Sequence, residues 1–290
     1  HLGPYLWAFF WKNSIVQYEY LGRLIYIFIY ILSIFSIGCS LFKEKNFSNL
    51  FVLPIILFLI ILSYDEYLFG GYQEYLLFSF IALMSKLILN IIDNNSSSIK
   101  QLLILILAGN LLIYFKDEGI IYLIIILLSF QFYLKKNLQK FMLIFSLMIT
   151  ISLQFYLEKN IIQVYGFQEA ININFDKILN INFLITNSLL IFKYMIISSL
   201  KYPLWIIIFI SIYILMKGRF EKKKMYLLFY VMLGTFGFYY LLYTIHPFSS
   251  EFLMKVTLDR LIFQTSGFFM VYILISFNFI YSSFNSYLEK

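Results

Sequence analysis

Three short polar segments interrupt a mostly apolar chain, and their side chains could bind charge or move protons. The first segment, residues 64–75, contains the carboxylates Asp65, Glu66 and Glu74 and no basic residue. A cluster of carboxylates can hold a cation or accept the proton of an attacking hydroxyl group. We therefore predict Glu74, Asp65 and Glu66 as catalytic residues. An exposed acidic loop without a function would have the same composition.

Two further segments carry cations that could bind a phosphate group. Lys116, Asp117, Glu118 and Gly119 form a charged turn between two aliphatic runs. Charges between two membrane-spanning apolar runs are costly, and such side chains usually point into the protein or pair with an opposite charge. Lysine binds phosphate as a point charge. The segment 257–260 ends in Arg260, whose guanidinium can grip phosphate through two hydrogen bonds. The predicted substrate-binding residues are Lys116, Asp117, Glu118, Asp259, Arg260 and Tyr72, the last as a ring that could stack on a sugar.

Membrane-spanning helices are the elements that must position these residues. Of the 290 residues 62% are hydrophobic and 13% charged, and the mean hydropathy is +0.84, which excludes an ordinary soluble protein. A helix needs about 20 residues to cross about 30 Å of hydrocarbon. Nearly uncharged runs of about that length cover 24–42, 46–64, 75–92, 101–115, 119–134, 141–157, 202–216, 225–243 and 261–282. The predicted fold is an all-α polytopic transmembrane bundle of about nine spans.

The apolar stretch 178–200 is broken by three asparagines and a lysine. If it crossed the membrane, the basic loop 217–224 would fall on the outside, against the positive-inside tendency. We therefore predict an amphipathic helix on the outer membrane surface. With residue 1 outside, 13 of the 22 basic residues lie inside and 11 of the 15 acidic residues lie outside. The side of the membrane that carries most of the acidic residues, and with them the predicted site, is then the extracytoplasmic side.

Composition also limits the partners and the kinds of covalent or metal site that we expect. Cys39 is the single cysteine, so an intrachain disulfide is impossible. The net charge of +7 is spread singly between apolar runs, so we expect membrane lipid and no nucleic acid as a partner. With two histidines in the chain we expect no histidine metal site.

Four segments, in this order, resemble GT-C fold glycosyltransferases that use polyprenyl-phosphate sugars, in the group of the protein mannosyltransferase and aminoarabinose transferase relatives. They are residues 1–12 continued by 19–24, the Gly-Tyr-Gln-Glu of 71–74, the Lys-Asp-Glu-Gly of 116–119, and the Thr-Leu-Asp-Arg-Leu of 257–261 with Gln264. In the second segment Glu74 stands in the place of the family's acidic residue. In the third, Asp117 stands where the family has asparagine.

The resemblance implies a membrane glycosyltransferase of the plasma or inner membrane with an extracytoplasmic active face. It would transfer a sugar, with inversion, from a polyprenyl-phosphate donor to a glycan, lipid or protein acceptor, and a divalent cation could take part. Residues 1–290 would form one domain that lacks the family's first span and first outer loop. Because that loop carries the family's main catalytic acid, we expect these residues by themselves to be inactive.

Two other classes share parts of this pattern. An envelope polysaccharide polymerase or flippase would also be basic and aromatic-rich, but a polymerase is expected to carry several arginines on its outer loops. A multi-span transporter predicts inverted repeats and helices broken at matching positions of its two halves. No such repeat is visible, and the four prolines give little scope for broken helices.

Overall fold

Helices account for the secondary structure throughout the part of the chain that the computed structural model describes, namely residues 2–13, 19–42, 49–63, 73–93, 98–157, 160, 180–218, 220–246 and 249–288. The helices are α1 (Leu2–Lys12), α2 (Glu19–Phe42), α3 (Asn49–Ser63), α4 (Glu74–Asp93), α5 (Ile99–Phe115), α6 (Glu118–Gln131), α7 (Asn137–Leu157), α8 (Ile181–Lys201), α9 (Pro203–Lys217), α10 (Lys222–Ile245) and α11 (Ser250–Leu288). Their positions follow the predicted apolar runs closely. The prediction of an all-α fold is confirmed for the described residues, and several of these helices are apolar enough to suit a multi-pass membrane protein.

Six helices in the described ranges are long and apolar enough to cross a membrane: α2, α4, α7, α8, α10 and α11. Three shorter apolar helices are α5, α6 and α9. The exposed apolar side chains of α7 agree with a helix that contacts lipid, because Phe141, Phe145 and Met148 are all more than half exposed. A soluble protein rarely leaves so many large apolar side chains uncovered on one element.

The centre of the bundle is the pair α4 and α11. Of the apolar window of α11 83% is buried, and of α4 72%, against 11% for α7. The two central helices approach so closely that a Cβ on Gly267 would lie 2.2 Å from the carbonyl oxygen of Phe78. Small residues permit such contacts between membrane helices, where packing replaces the hydrophobic effect as the attractive force.

The helices α4 and α11 run in the same direction. The ring of Tyr75 lies 5.2 Å from that of Phe263, and Ser85 donates a hydrogen bond to the carbonyl of Phe268 further along. We call the two ends of the bundle the Glu74 end and the Asp93 end, after the first and last residues of α4. Contacts within the described residues show that α2, α4, α6, α9 and α11 run from the Glu74 end to the Asp93 end, whereas α3, α5 and α10 run in the opposite direction. The short connection after α6 starts α7 at the Asp93 end.

At the Asp93 end, one buried cation joins neighbouring elements of the bundle. Lys224, at the start of α10, pairs with Asp93 of α4 and, at 3.2 Å, with Glu221. Its ammonium also lies 5.2 Å from the ring centre of Phe220. The hydroxyl group of Tyr272 donates to the carbonyl of Lys224, so α11 joins the same cluster.

Three side-chain contacts of the helix α8 reach residues toward the Glu74 end. Ser188 meets Tyr240 of α10 at 2.9 Å, and Tyr194 donates to Glu251 in the first turn of α11. At its other end Lys201 pairs with Asp259 at 3.4 Å. Ser188 and Lys201 are roughly 20 Å apart along the helix, and both have their partners toward the Glu74 end.

The start of α11 differs from the sequence expectation. The sequence predicts the final span over 261–282, with Arg260 just before its start. The helix instead begins at Ser250, so that Arg260 lies well inside it. The reason is tertiary packing: Met254 and Leu258 are buried in this extension, and Thr257 meets the hydroxyl group of Tyr243 at 3.0 Å. No glycine or proline between 250 and 260 opposes the helix.

Candidate functional site

Two cations converge on one buried carboxylate at the Glu74 end. Lys116 Nζ lies 2.9 Å from Glu74 Oε1, and Arg260 Nε donates to the same oxygen at 2.9 Å. Arg260 Nη2 also contacts this oxygen. The side chain of Glu74 is 0% exposed, whereas Lys116 is 19% and Arg260 35% exposed. The cluster therefore has an inaccessible acidic centre and two partly accessible cationic arms.

Each member of this cluster is held by a different element. Glu74 is the first residue of α4, where the positive end of the helix dipole favours a carboxylate. Lys116 follows the last residue of α5 and has an extended backbone conformation, in the connection between α5 and α6. Arg260 projects from the third turn of α11. The site thus depends on how four helices meet, and its residues are separated by 42 and 186 positions in the chain.

A glycine makes the turn that carries Lys116 possible. A Cβ on Gly119 would lie 2.2 Å from the carbonyl oxygen of Leu112, so α5 and α6 can meet this closely only with glycine there. The turn is closed by the hydrogen bond from the Gly119 N–H to the Lys116 carbonyl at 2.9 Å. The Lys-Asp-Glu-Gly segment is therefore a rigid connection that presents Lys116 to Glu74.

A second carboxylate contacts the lysine from the same turn. Glu118 Oε1 lies 3.2 Å from Lys116 Nζ, and its side chain is 30% exposed. The described cluster then contains two cations, Lys116 and Arg260, and two carboxylates, Glu74 and Glu118. Burying a charge is tolerated only when it is paired, which the double partnership of Glu74 provides.

The second oxygen of Glu74 lacks a comparable partner. Glu74 Oε2 is buried and has no hydrogen-bond partner among the described residues. Both cations use Oε1 instead, so the carboxylate orients both cations through one atom. Further along α4 and α11 from the two ends of this ion pair, the rings of Tyr30, Tyr75, Phe78 and Phe263 pack against one another with centroid distances of 5.0–6.4 Å.

Polar side chains continue from the cluster toward the middle of the bundle. Gln264, one helical turn after Arg260, accepts a hydrogen bond from Tyr122, one turn after Glu118, at 2.9 Å. Both side chains are buried. Tyr239 adds hydrogen bonds to Thr265 at 2.8 Å and to the carbonyl of Leu261 at 2.7 Å. We call Tyr122, Gln264, Tyr239 and Thr265 the polar seam.

Sequence reasoning missed Tyr122, Tyr239 and Thr265 of the polar seam. The spacing of four between Glu118 and Tyr122, and between Arg260 and Gln264, is a helical signal that could have revealed part of it. That signal is weak in a chain with 25 tyrosines, because most tyrosines of such a chain are expected at lipid or interface positions.

The remaining predicted site residues lie elsewhere or outside the described ranges. Asp259 pairs with the exposed Lys201 on the α8 side, at 3.4 Å, and so belongs to the contact with α8. Asp117 stands at the N-cap of α6, and its side chain makes no capping hydrogen bond. Asp65, Glu66 and Tyr72 lie outside the described residues. The roles assigned to all nine residues stay predictions.

Metal ligands are not gathered in the described part of the molecule. No group of three or more His, Cys, Asp or Glu side chains there could hold a metal ion. Glu74 and Glu118 contribute two carboxylates, and both contact Lys116, while Glu74 also contacts Arg260. The possible divalent cation, which the sequence connects with the carboxylates Glu74, Asp65 and Glu66, stays a prediction.

Comparison with known proteins returned no relative: no protein-family model matches the chain, and no curated protein or solved structure matches it either.

Proposed function

We propose that the chain is the membrane part of a glycosyltransferase that takes a sugar from a polyprenyl-phosphate donor and transfers it to a glycan, lipid or protein acceptor. One observation carries the proposal: Lys116 and Arg260, far apart in sequence, meet at a buried carboxylate at one end of a bundle of apolar helices. A partly exposed lysine and arginine at that place suit the phosphate group of a lipid, because the lipid tail stays in the bilayer while its head reaches the cations.

In this mechanism the acceptor hydroxyl attacks the anomeric carbon of the sugar in one inverting displacement. The C–O bond to the phosphate breaks, and its electron pair leaves with the polyprenyl phosphate. Lys116 and Arg260 stabilise the charge that grows on the leaving phosphate. A general base takes the proton of the acceptor, and Asp65, Glu66 or a residue outside this chain would supply it.

Glu74 has a positioning role in this proposal. Its side chain is 0% exposed and both cations hold it, so a substrate hydroxyl cannot reach it without opening the cluster. It would instead keep the ammonium and guanidinium groups at a fixed separation for one phosphate. This differs from the sequence-based interpretation, which gave Glu74 a part in acceptor or metal binding.

The distribution of basic residues supports an extracytoplasmic site. The basic residues of the described structure at or next to the Asp93 end are Lys100, Lys135, Lys136, Lys140, Lys217, Lys222, Lys223 and Lys224. Lysine and arginine in short connections favour the cytoplasmic side. The Asp93 end would then be cytoplasmic and the Glu74 end would face outward, across nine spans of the plasma or inner membrane.

The exposed and buried faces of α8 support a position of this helix at the outer membrane surface. Its apolar residues Ile185, Leu189, Phe192, Ile196 and Leu200 recur at helical spacing and are each more than half exposed. The opposite face, with Ile191 and Met195, is buried against the bundle. An exposed apolar face beside the Glu74 end suits contact with the acyl region of the outer leaflet.

Sugar transfer in membrane vesicles tests the proposal. Vesicles containing the protein together with any preceding segment encoded with it would receive a panel of radiolabelled polyprenyl-phosphate sugars, and release of free polyprenyl phosphate would be measured. We expect Lys116→Ala and Arg260→Ala each to reduce turnover by about 100-fold. The control is Lys255→Ala, which removes an exposed lysine of α11 at the same end. Turnover at the wild-type level in both site variants, or of no donor in the panel, would refute the proposal.

A further inference from the structure

The two carboxylates that contact Lys116 differ in how firmly they are held. Glu74, at 2.9 Å, is 0% exposed and also binds Arg260. Glu118, at 3.2 Å, is 30% exposed, and Lys116 is its one ion-pair partner in the described part of the chain. Partly exposed ion pairs contribute little stability, typically about 0–1 kcal/mol. Glu118 can therefore leave the lysine at small cost, whereas Glu74 cannot.

Position in the fold makes the same distinction. Glu74 connects α4 to the α5–α6 turn and to α11, so its departure would separate three elements. Glu118 belongs to the same turn as Lys116, in the first turn of α6. The ion pair of Glu118 therefore joins two residues of one turn, whereas the ion pairs of Glu74 join separate elements. The Lys116–Glu118 pair is thus a local contact at the accessible side of the cluster.

The charges of the cluster show what this contact does. With Glu118 on the lysine, the Lys116 ammonium contacts two carboxylates, and an approaching anion must compete with the accessible one. Without Glu118, Lys116 would keep Glu74 as its ion-pair partner and would have one carboxylate fewer beside it. A phosphate on Lys116 would also be repelled by a Glu118 carboxylate that stayed beside the same ammonium.

We propose that Glu118 is an exchangeable counter-ion, which occupies the anion position of Lys116 in the free protein and is displaced when a lipid phosphate binds. This inference rests on the proposed function, because it concerns the same site. Glu118 then sets the affinity of the site for phosphate and keeps weakly charged lipids out. The two carboxylates have opposite effects: Glu74 holds the cations for phosphate, and Glu118 competes with phosphate.

Binding to the protein in phosphatidylcholine nanodiscs tests this. The probes are farnesyl phosphate, farnesol as the same chain without phosphate, and inorganic phosphate. We expect Glu118→Gln to tighten farnesyl phosphate binding by roughly fivefold, without a change for farnesol. Glu74→Gln should weaken farnesyl phosphate binding instead. The matched control is Glu251→Gln, which removes an exposed carboxylate from the first turn of α11 that pairs with Lys255 at 2.8 Å. It should leave the affinity within twofold.

The outcomes separate this inference from the proposed function. If the wild type binds farnesyl phosphate better than farnesol but Glu118→Gln binds it no tighter, the counter-ion inference is overturned and the phosphate site stands. If inorganic phosphate binds as tightly as farnesyl phosphate, and Glu118→Gln tightens both, the counter-ion inference holds while the lipid donor is refuted. If neither the wild type nor Glu118→Gln distinguishes farnesyl phosphate from farnesol, both proposals fail.

Discussion

Lys116 and Arg260 bind the same oxygen atom of Glu74, each with a nitrogen at 2.9 Å. Neither cation could take this position from its own helix alone, since they come from the α5–α6 turn and from the third turn of α11. Their shared partner holds two positive groups closer together than mutual repulsion would otherwise permit. The cluster is therefore both a site and a structural link between helices.

The first expectation concerns the stability of this link. Glu74→Ala should lower the free energy of unfolding by about 3–5 kcal/mol, because it leaves two cations without their buried partner. Thermal unfolding of the purified protein in detergent, followed by size-exclusion chromatography, measures the change. Glu251→Ala serves as the control, because its ion pair with Lys255 is exposed to solvent and its loss should change the stability much less. Equal losses at the two positions would contradict a structural role for Glu74.

The close approach of α4 and α11 leads to a second expectation. Gly267→Ala should destabilise the protein by about 1–3 kcal/mol, since the new methyl group would collide with the Phe78 carbonyl. Gly237→Ala is the matched control, because a Cβ there meets no atom within 4 Å in the described structure. Alanine should be neutral or slightly stabilising at that helical position. If the two variants unfold at the same temperature, the packing of α4 on α11 differs from that described.

The polar seam provides a third test. Tyr122→Phe removes the donor to Gln264 Oε1 and should cost about 1–2 kcal/mol, because a buried amide oxygen then lacks its partner. Adding Gln264→Leu to Tyr122→Phe should recover much of that loss, since no polar atom of the pair then remains unpaired. The measurement is the double-mutant cycle of unfolding midpoints. Strictly additive losses would show that the two side chains do not interact.

Sidedness of the site can be checked with single cysteines. Cys39 is the only cysteine, so Cys39→Ser gives a background without thiols. We expect Glu251→Cys at the Glu74 end to react with a membrane-impermeant maleimide in intact cells. Lys136→Cys, next to the Asp93 end, should react only after the membrane is permeabilised. The reverse pattern would place the Glu74 cluster in the cytoplasm and remove the basis for an extracytoplasmic reaction.

Local signals in the sequence determined most of the elements. Uncharged runs marked the positions of the helices, because a chain in lipid must satisfy its backbone hydrogen bonds within each span. The charged turn at Lys116 was recognisable because charges are rare between aliphatic runs. The start of α11 was not recognisable, since the residues from 250 to 260 are polar enough for a loop, and their helix is stabilised by burial of Met254 and Leu258.

The arrangement of the site was decided by the tertiary structure. The sequence marked Glu74, Lys116 and Arg260 as charges that need a reason, but it contains nothing that measures the distance between them. Gly119 and Gly267 let neighbouring helices approach, and this packing brings two cations to one oxygen and turns Asp259 toward Lys201 instead. The physical reason is that helix formation depends on neighbours along the chain, whereas the pairing of buried charges depends on neighbours in space.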